Sequence, residues 1–315
     1  MIYKLDNIDQ FNQALGIETV HPLITVCNLK DVPHRELFDN EVTWQYGVYA
    51  LYLKNTRSCL LSYGHKEYDY SDGTVTSFAP MQTVTATPIP GMDHDVVALL
   101  FHPDLIRGTS LAKGMADYRF FQYSSNEALH MSERERAIYL DCIDKIKEEI
   151  NRPLDKYSRK LICRNIELLL DYCLRFYDRQ FITRELENNS VIATFEQALN
   201  DYFLNKESIF MNGLPSVKLF ADKCCLSPNY FGDLVKKETG KTPIEFIQQK
   251  VIDIAKEELH TTDATITEVA YRLGFQSSQH FNRYFKRCTG KTPSEYRKLS
   301  QRLCMNFSCS ATKID

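Results

Sequence analysis

Between about residues 21 and 102 the chain alternates short apolar runs with turn formers. The runs are 23–29 (LITVCNL), 45–54 (QYGVYALYLK), 75–78 (VTSF) and 95–101 (DVVALLF), all rich in β-branched and aromatic residues. Asp72-Gly73 and the stretch from Pro88 to Gly91 punctuate them. Short strands at this spacing predict a small barrel or jelly roll. The period then changes. Ile138, Cys142, Ile143, Ile146 and Ile150 recur at helical intervals. A second stripe over 158–178 carries Ile162, Ile166, Leu169, Cys173 and Phe176, and a third over 189–205 carries Ile192, Phe195, Leu199 and Phe203. Packing against the β unit is the preferred reading of these stripes; a dimer seam along 158–178 is the alternative, because a stripe does not say what covers it. Around 205–215 the periodicity breaks at Asn212-Gly213 and Pro215, which reads as a linker.

Beyond that break the chain repeats itself. Thr239-Gly240-Lys241-Thr242-Pro243 recurs fifty residues later as Thr289-Gly290-Lys291-Thr292-Pro293. The likeness extends to Glu245 and Phe246 against Glu295 and Tyr296, and to Phe231, Leu234 and Val235 against Phe281, Tyr284 and Phe285. Upstream the offset drops to forty-nine, aligning Val217, Phe220, Ala221 and Leu226 with Ile266, Val269, Ala270 and Phe275; the additional Gln276 falls in a turn. A supersecondary unit present twice is the economical account.

Each copy reads helix, tight turn, helix. Gly274 ends the first helix of the second copy, where a left-handed residue is favoured, and Ser277 can cap the next helix. In the first copy Ser227 is the cap and Pro228 the first helical residue, while Cys225 stands in place of the glycine. On each second helix an apolar stripe faces inward. The opposite stripe is Asn229, Gly232, Asp233 and Lys236 in one copy and Gln279, Asn282, Arg283 and Lys286 in the other. In a DNA major groove Gln and Asn can pair with adenine and Arg with guanine, while Lys236, Lys237, Lys286 and Arg287 near the far ends suit phosphates. The intervening helix, from Ile244 to Leu259, would be about 24 Å long at the standard rise, a spacer of the order needed to reach successive groove turns about 34 Å apart.

Charge sharpens this picture. The 315 residues carry a net charge of -3, yet residues 215–300 hold 14 Lys and Arg against 10 Asp and Glu, leaving the remainder at -7. A cationic module attached to an acidic domain fits such an asymmetry. No apolar run is long enough to span a bilayer and no secretion signal opens the sequence, so a cytoplasmic location is expected, with the ten cysteines reduced. They form no CxxC pair and no zinc-type cluster, and the vicinal Cys224-Cys225 reads as packing rather than a redox switch.

The second copy, from ITEVAYRLGF to the close Gly290-x-Thr292-Pro293-x-x-Tyr296-Arg297, resembles the AraC/XylS family of bacterial transcription regulators. The preceding region resembles the cupin-type sensor domain that many members carry. The resemblance implies an α+β chain of two domains: a cupin-like β-barrel with flanking helices at about 132–205, forming a sensing or dimerising domain over 1–205, and an all-α double helix-turn-helix over 216–300. Residues 206–215 are then the linker and 301–315 a mobile tail. It implies a homodimer on double-stranded promoter DNA, contact with RNA polymerase, and no cofactor. Carried over by position, the DNA-contacting set is Asn229, Tyr230 and Asp233 in the first unit and Ser278, Gln279, His280 and Arg283 in the second, with Lys236, Lys237, Lys286 and Arg287 at the phosphates. Many members have Arg where Asp233 stands, so the second recognition helix is expected to read bases more strongly.

Other chemistry is less well supported. A cupin-like barrel raises the prospect of a metal enzyme, but His34, Glu36, His65 and Glu67 form no HxH, and His94 and His102 only flank a predicted strand. Neither catalysis nor a metal is expected. Trp44, Tyr46, Tyr49 and Tyr52 are candidates to line an effector pocket, although alternating aromatics are more often core. The rival readings are a cupin-fold metal enzyme with a helical assembly domain, and a protein–protein adaptor that has lost DNA affinity.

Overall fold

The computed structural model describes residues 2–34, 40–54, 59–62, 73–88, 95–123, 127–183 and 185–299. The chain divides into two compact units, Met1–Glu185 and Leu186–Asp315.

In the first unit β1 (Ile2–Leu5) and α1 (Ile8–Leu15) precede a run of strands: β2 (Ile24–Asn28), β3 (Val42–Tyr46), β4 (Tyr49–Lys54), β5 (Cys59–Ser62), β6 (Thr74–Phe78), β7 (Thr83–Pro88) and β8 (Val96–Phe101). Short helices α2 (Pro103–Ile106) and α3 (Ser110–Gly114) follow, then β9 (Leu129–His130) and two long helices, α4 (Glu133–Asn151) and α5 (Ser158–Thr183). The strands form a four-stranded sheet, β1-β3-β7-β5, and a five-stranded sheet, β2-β8-β4-β6-β9. All pairs are antiparallel except β1 with β3.

The expected closed barrel is not what forms, and a cupin-like domain is not established. The pairing decides it: the described strands divide into two separate sheets. In β4 and β8, Leu51, Leu53, Leu99 and Phe101 are as fully buried as Ala50, Ala98 and Leu100, so this sheet is covered on both faces. One face of the five-stranded sheet shares a core with the four-stranded sheet and α1, through Trp44, Tyr46, Phe78, Leu100, Phe11 and Leu15. The other face supplies Leu51, Leu53, Leu99 and Phe101 to a second apolar layer, on the side where α4 meets β2 and α5 meets β9. The uninterrupted run VVALLF is the sequence expression of burial on both faces.

The stripes on α4 and α5 pack against each other, burying Tyr139, Cys142, Ile143, Ile146, Ile162, Ile166, Leu169, Cys173 and Phe176. Ser132 and Glu135 cap α4 reciprocally, and Arg179 of α5 clamps Glu135 at 2.8 Å and donates to the His130 carbonyl at 2.6 Å. Arg179 and the capping bonds together hold the Glu135 carboxyl below its ordinary pKa, outweighing the opposing effect of its burial.

The second unit is helical: α6 (Glu185–Leu204), α7 (Lys206–Asn212), α8 (Val217–Lys223), α9 (Pro228–Thr239), α10 (Pro243–Thr261), α11 (Ile266–Arg272) and α12 (Ser278–Thr289), with residues 293–299 also helical. Two expectations change here. The unit boundary falls about twenty residues before the expected end of the first domain at 205, and the expected linker contains α7. Phe195 of α6 explains the boundary. It is fully buried, with ring centroids 5.3 Å from Phe220, 5.2 Å from Phe231 and 5.7 Å from Phe246. The third stripe therefore closes the core of the first helix-turn-helix. The tail 301–315 lies outside the described residues.

Phe195→Ala should cost about 3–5 kcal/mol through lost burial and the cavity left behind. Denaturant unfolding monitored by far-UV circular dichroism checks this; an unchanged midpoint would remove α6 from the C-terminal core.

Candidate nucleic-acid interface

The two helix-turn-helix units share one set of backbone hydrogen bonds. At the end of α8 the Leu226 N–H donates to the Ala221 carbonyl and the Cys225 N–H to Asp222, both at 3.0 Å. At the end of α11 the Phe275 N–H donates to Ala270 and the Gly274 N–H to Tyr271, again at 3.0 Å. This pattern satisfies the last carbonyls of a helix and requires a left-handed residue in the turn. Gly274 meets it at φ 87°, and Cys225 meets it at φ 57° despite its side chain. Ser227 and Ser277 then cap the recognition helices, accepting from the Tyr230 N–H at 3.3 Å and the His280 N–H at 3.2 Å.

The repeated pentapeptide has a structural job. Gly240 and Gly290 end α9 and α12 in left-handed geometry, their N–H groups donating to Lys236 and Lys286. Thr239 and Thr289 bond back to the carbonyls of Val235 and Phe285 at 2.6 and 2.8 Å. Thr242 with Glu245 and Thr292 with Glu295 make the same reciprocal bonds at the start of the next helix, and Thr265 with Glu268 does so for α11. The backbone N–H groups of the three threonines hold these glutamates below the ordinary carboxylate pKa of 4.5. Their stabilisation is complete above the unfolded glutamate range and is lost as pH falls through the lowered folded values.

Burial separates the two faces of each recognition helix. On α9, Tyr230, Phe231, Leu234 and Val235 are buried, Asn229 and Asp233 partly exposed, and Lys236 and Lys237 exposed. On α12, Phe281 and Phe285 are fully buried, Ser278 and Asn282 partly exposed, and Gln279, His280, Arg283, Lys286 and Arg287 exposed. Tyr230 is the correction. Expected among the DNA-facing residues, it is only 4% exposed, buried on α9 beside Phe231 and Leu234 of the first helix-turn-helix. Its positional equivalent His280 lies outside, its ring edge-on to Phe275 at 5.4 Å. Arg287 sits 5.5 Å above the Tyr284 ring, whose phenol burial pushes up to about 12. The spacer α10 runs for 19 residues, about 28 Å at the standard rise.

The remaining candidates fall elsewhere. Trp44 and Tyr46 are buried in the two-sheet core, Trp44 against Tyr3 and Phe11 and Tyr46 stacked on Phe78 at 5.2 Å. Tyr52 accepts the Tyr46 hydroxyl hydrogen bond at 3.1 Å, and Tyr49 stacks on Phe101 at 5.0 Å. These rings fill space between strands. His34 bonds the Ala14 carbonyl and His102 caps α2, both structural tasks, while Glu36, His65, Glu67 and His94 lie outside the described residues. Among the described residues no group of three or more His, Cys, Asp or Glu is placed to hold a metal. Burial raises the Cys224 thiol to about 11, the opposite of activation.

Comparison with known proteins bears on the same segment. Residues 220–299 match the family model described as a helix-turn-helix domain. The HTH-type transcriptional regulator AlkR of Acinetobacter baylyi is 32% identical over 85 residues, 27% of this chain and 28% of that protein. The arabinose operon regulatory protein of Escherichia coli is 36% identical over 77 residues, 24% of this chain and 26% of that protein. Residues 220–299 form an AraC-type helix-turn-helix domain. A longer match, 26% identical over 184 residues, links 56% of this chain to 58% of the regulator YijO of Escherichia coli. The chain thus spans between about a quarter and three fifths of these relatives. The solved DNA-binding domain of AdpA, in complex with a target DNA, is 24% identical with a TM-score of 0.30, covering 36% of this chain and 93% of that one. Among the described residues no helix of this chain is long and apolar enough to cross a membrane.

The C-terminal unit carries a strained turn residue at Cys225 and a close backbone contact at Gly274. A methyl group on Gly274 would come within 2.6 Å of the Gly213 carbonyl carbon, so the end of α7 rests directly on the second turn. Cys225→Gly should stabilise the domain by about 0.5–1 kcal/mol, because left-handed strain exceeds the entropic cost of glycine. Gly274→Ala should destabilise it by more than about 2 kcal/mol, adding that contact to the strain. Thermal unfolding of the two variants in opposite directions is the expected result.

Proposed function

We propose that this chain is a sequence-specific DNA-binding transcriptional regulator whose AraC-type domain inserts α9 and α12 into neighbouring major-groove segments. The observation that carries the reading is the shared geometry of two capped recognition helices, each with a buried apolar face and an outward polar one. The names of the matched relatives, transcriptional regulators of the same domain type, support it. An enzyme reading has no support of this kind.

The division of labour follows side-chain chemistry. Gln279 and Arg283 on α12 are one helical turn apart and exposed, suited to adenine and guanine edges, with Ser278 and His280 beside them. Asn229 is the corresponding polar group on α9, while Asp233 can accept from the cytosine amino group but repels phosphate. Lys236, Lys237, Lys286 and Arg287 anchor the two helices on the backbone. The first unit then senses or dimerises. Leu154, Tyr157, Leu161 and Leu168, all more than 40% exposed at and along α5, offer a strip that a second copy would cover. An effector bound to the first unit would act only through a difference in affinity between two states of the chain. Contact with RNA polymerase and a cytoplasmic location complete the reading.

Selection of bound sequences from a random duplex pool with the full chain should yield a motif with two half-elements about one helical turn apart. Arg283→Ala should cost about 1–3 kcal/mol at one base position and relax preference there, leaving the salt dependence nearly unchanged. An unselective pool, or an Arg283→Ala protein of unaltered preference, would favour the adaptor reading.

A further inference from the structure

Among the described residues the five-stranded sheet ends on β2, which pairs with β8 alone. Ile24 lies opposite Phe101 and Asn28 opposite Val97. At the two ends of this ladder the His102 N–H donates to Leu23 at 2.8 Å and the Leu29 N–H to Val96 at 2.9 Å. Bonded and non-bonded pairs alternate in an antiparallel ladder, so Thr25 and Cys27 bond β8 while Ile24, Val26 and Asn28 turn their peptide groups outward. The Asn28 carbonyl accepts from the Asp31 N–H at 3.0 Å; the N–H and C=O of Ile24 and Val26 have no partner among the described residues.

A cleft of about 280 Å³ runs along this edge. All five residues from Ile24 to Asn28 line it. Side chains of a strand alternate between faces, so a cleft against one face would meet every second residue; contact with all five marks it as lying along the edge. Its other walls come from Ile17, His21 and Val32 around β2 and from Ile150 near the end of α4. His21 is 8% exposed, and its Nδ1 accepts from the Leu23 N–H at 3.1 Å, which leaves Nε2 as the protonated donor. Burial lowers the His21 pKa and keeps that ring neutral. Charges of both signs stand around the cleft, the Lys147 ammonium and the Glu18 and Asp31 carboxylates.

We propose that this cleft binds a short extended peptide of two or three residues with free termini, which adds a strand to the free edge of β2. A peptide supplies the alternating acceptor and donor that the Val26 N–H and C=O require, and strand addition is an established mode of peptide recognition. Its apolar side chains would rest on Ile17, Val32 and Ile150. Its carboxylate would meet Lys147 and its ammonium the Glu18 and Asp31 pair. The volume, at the small end of ligand pockets of about 300 Å³ and above, suits a short segment. A fatty acid has no donor for the edge carbonyls, and a phosphate compound would face two carboxylates. Binding is a property of the first unit and does not depend on the DNA reading; any effect of the peptide on DNA affinity rests on that reading as well.

Titration calorimetry of the full chain with trivaline and trileucine, in the absence of DNA, tests the site. Saturable binding is expected. A central N-methyl group on the peptide, or Lys147→Ala at an exposed position of α4, should weaken it about tenfold, a difference of about 1.4 kcal/mol. Val26→Pro removes the outward N–H at an edge position where proline is tolerated, and should do the same with an unchanged far-UV spectrum. Absence of saturable binding at millimolar peptide would overturn the proposal. So would affinity indifferent to both N-methylation and Lys147→Ala, or equal binding of hexanoic acid with displacement of trileucine.

Discussion

The C-terminal unit depends on one hydrogen-bonding constraint, the bond from a turn N–H back to a carbonyl five residues earlier. Leu226 to Ala221 and Phe275 to Ala270 both make it. That bond stops the first helix, forces residue 225 or 274 into the left-handed region, and leaves room for three residues at most before the next cap. Small Ala221 and Ala270, fully buried, lie at the helix end that this turn closes. Because the turn is so short, the direction of the recognition helix follows from it. The exposed row on α12 is therefore set by backbone chemistry several residues upstream rather than by its own side chains.

The two copies satisfy that constraint differently. The second has glycine in the turn and closes its core from within, with Phe275, Phe281, Tyr284, Phe285 and Tyr296 in ring contact. The first carries a strained Cys225 and borrows Phe195 from α6. Its outer face is also the poorer one chemically, with Gly232 and Asp233 where the second has Asn282 and Arg283. Structural dependence and weak base-reading chemistry thus fall on the same copy, which in the proposed reading has the positioning role and leaves readout to the second copy.

The duplicated motif was legible in the chain because its signals are local: serine caps, a proline at a first helical turn, Thr-x-x-Glu boxes and glycine stops each act within a few residues. Strand positions were legible for the same reason. Four features were not. The absence of a barrel depends on which strands pair, a long-range property that the buried runs of β4 and β8 only hinted at. The place of α6 depends on what covers the Phe195 stripe, and periodicity records that a face is buried without naming its partner. Tyr230, expected among the DNA-contacting residues, is only 4% exposed, and an aromatic ring beside a polar stripe does not declare which side it takes. The free edge of β2 escaped notice because backbone groups leave no trace in residue identity.

The proposed function requires two recognition helices, held at a set spacing by α10, to act on one duplex. Hydroxyl-radical footprinting of the full chain on a selected site measures this directly. Two protected backbone patches on one face of the DNA, separated by about one helical turn of 34 Å, are predicted, with both lost together in Phe195→Ala under conditions that unfold the first helix-turn-helix. A single patch the width of one helix, unchanged by that substitution, would contradict it.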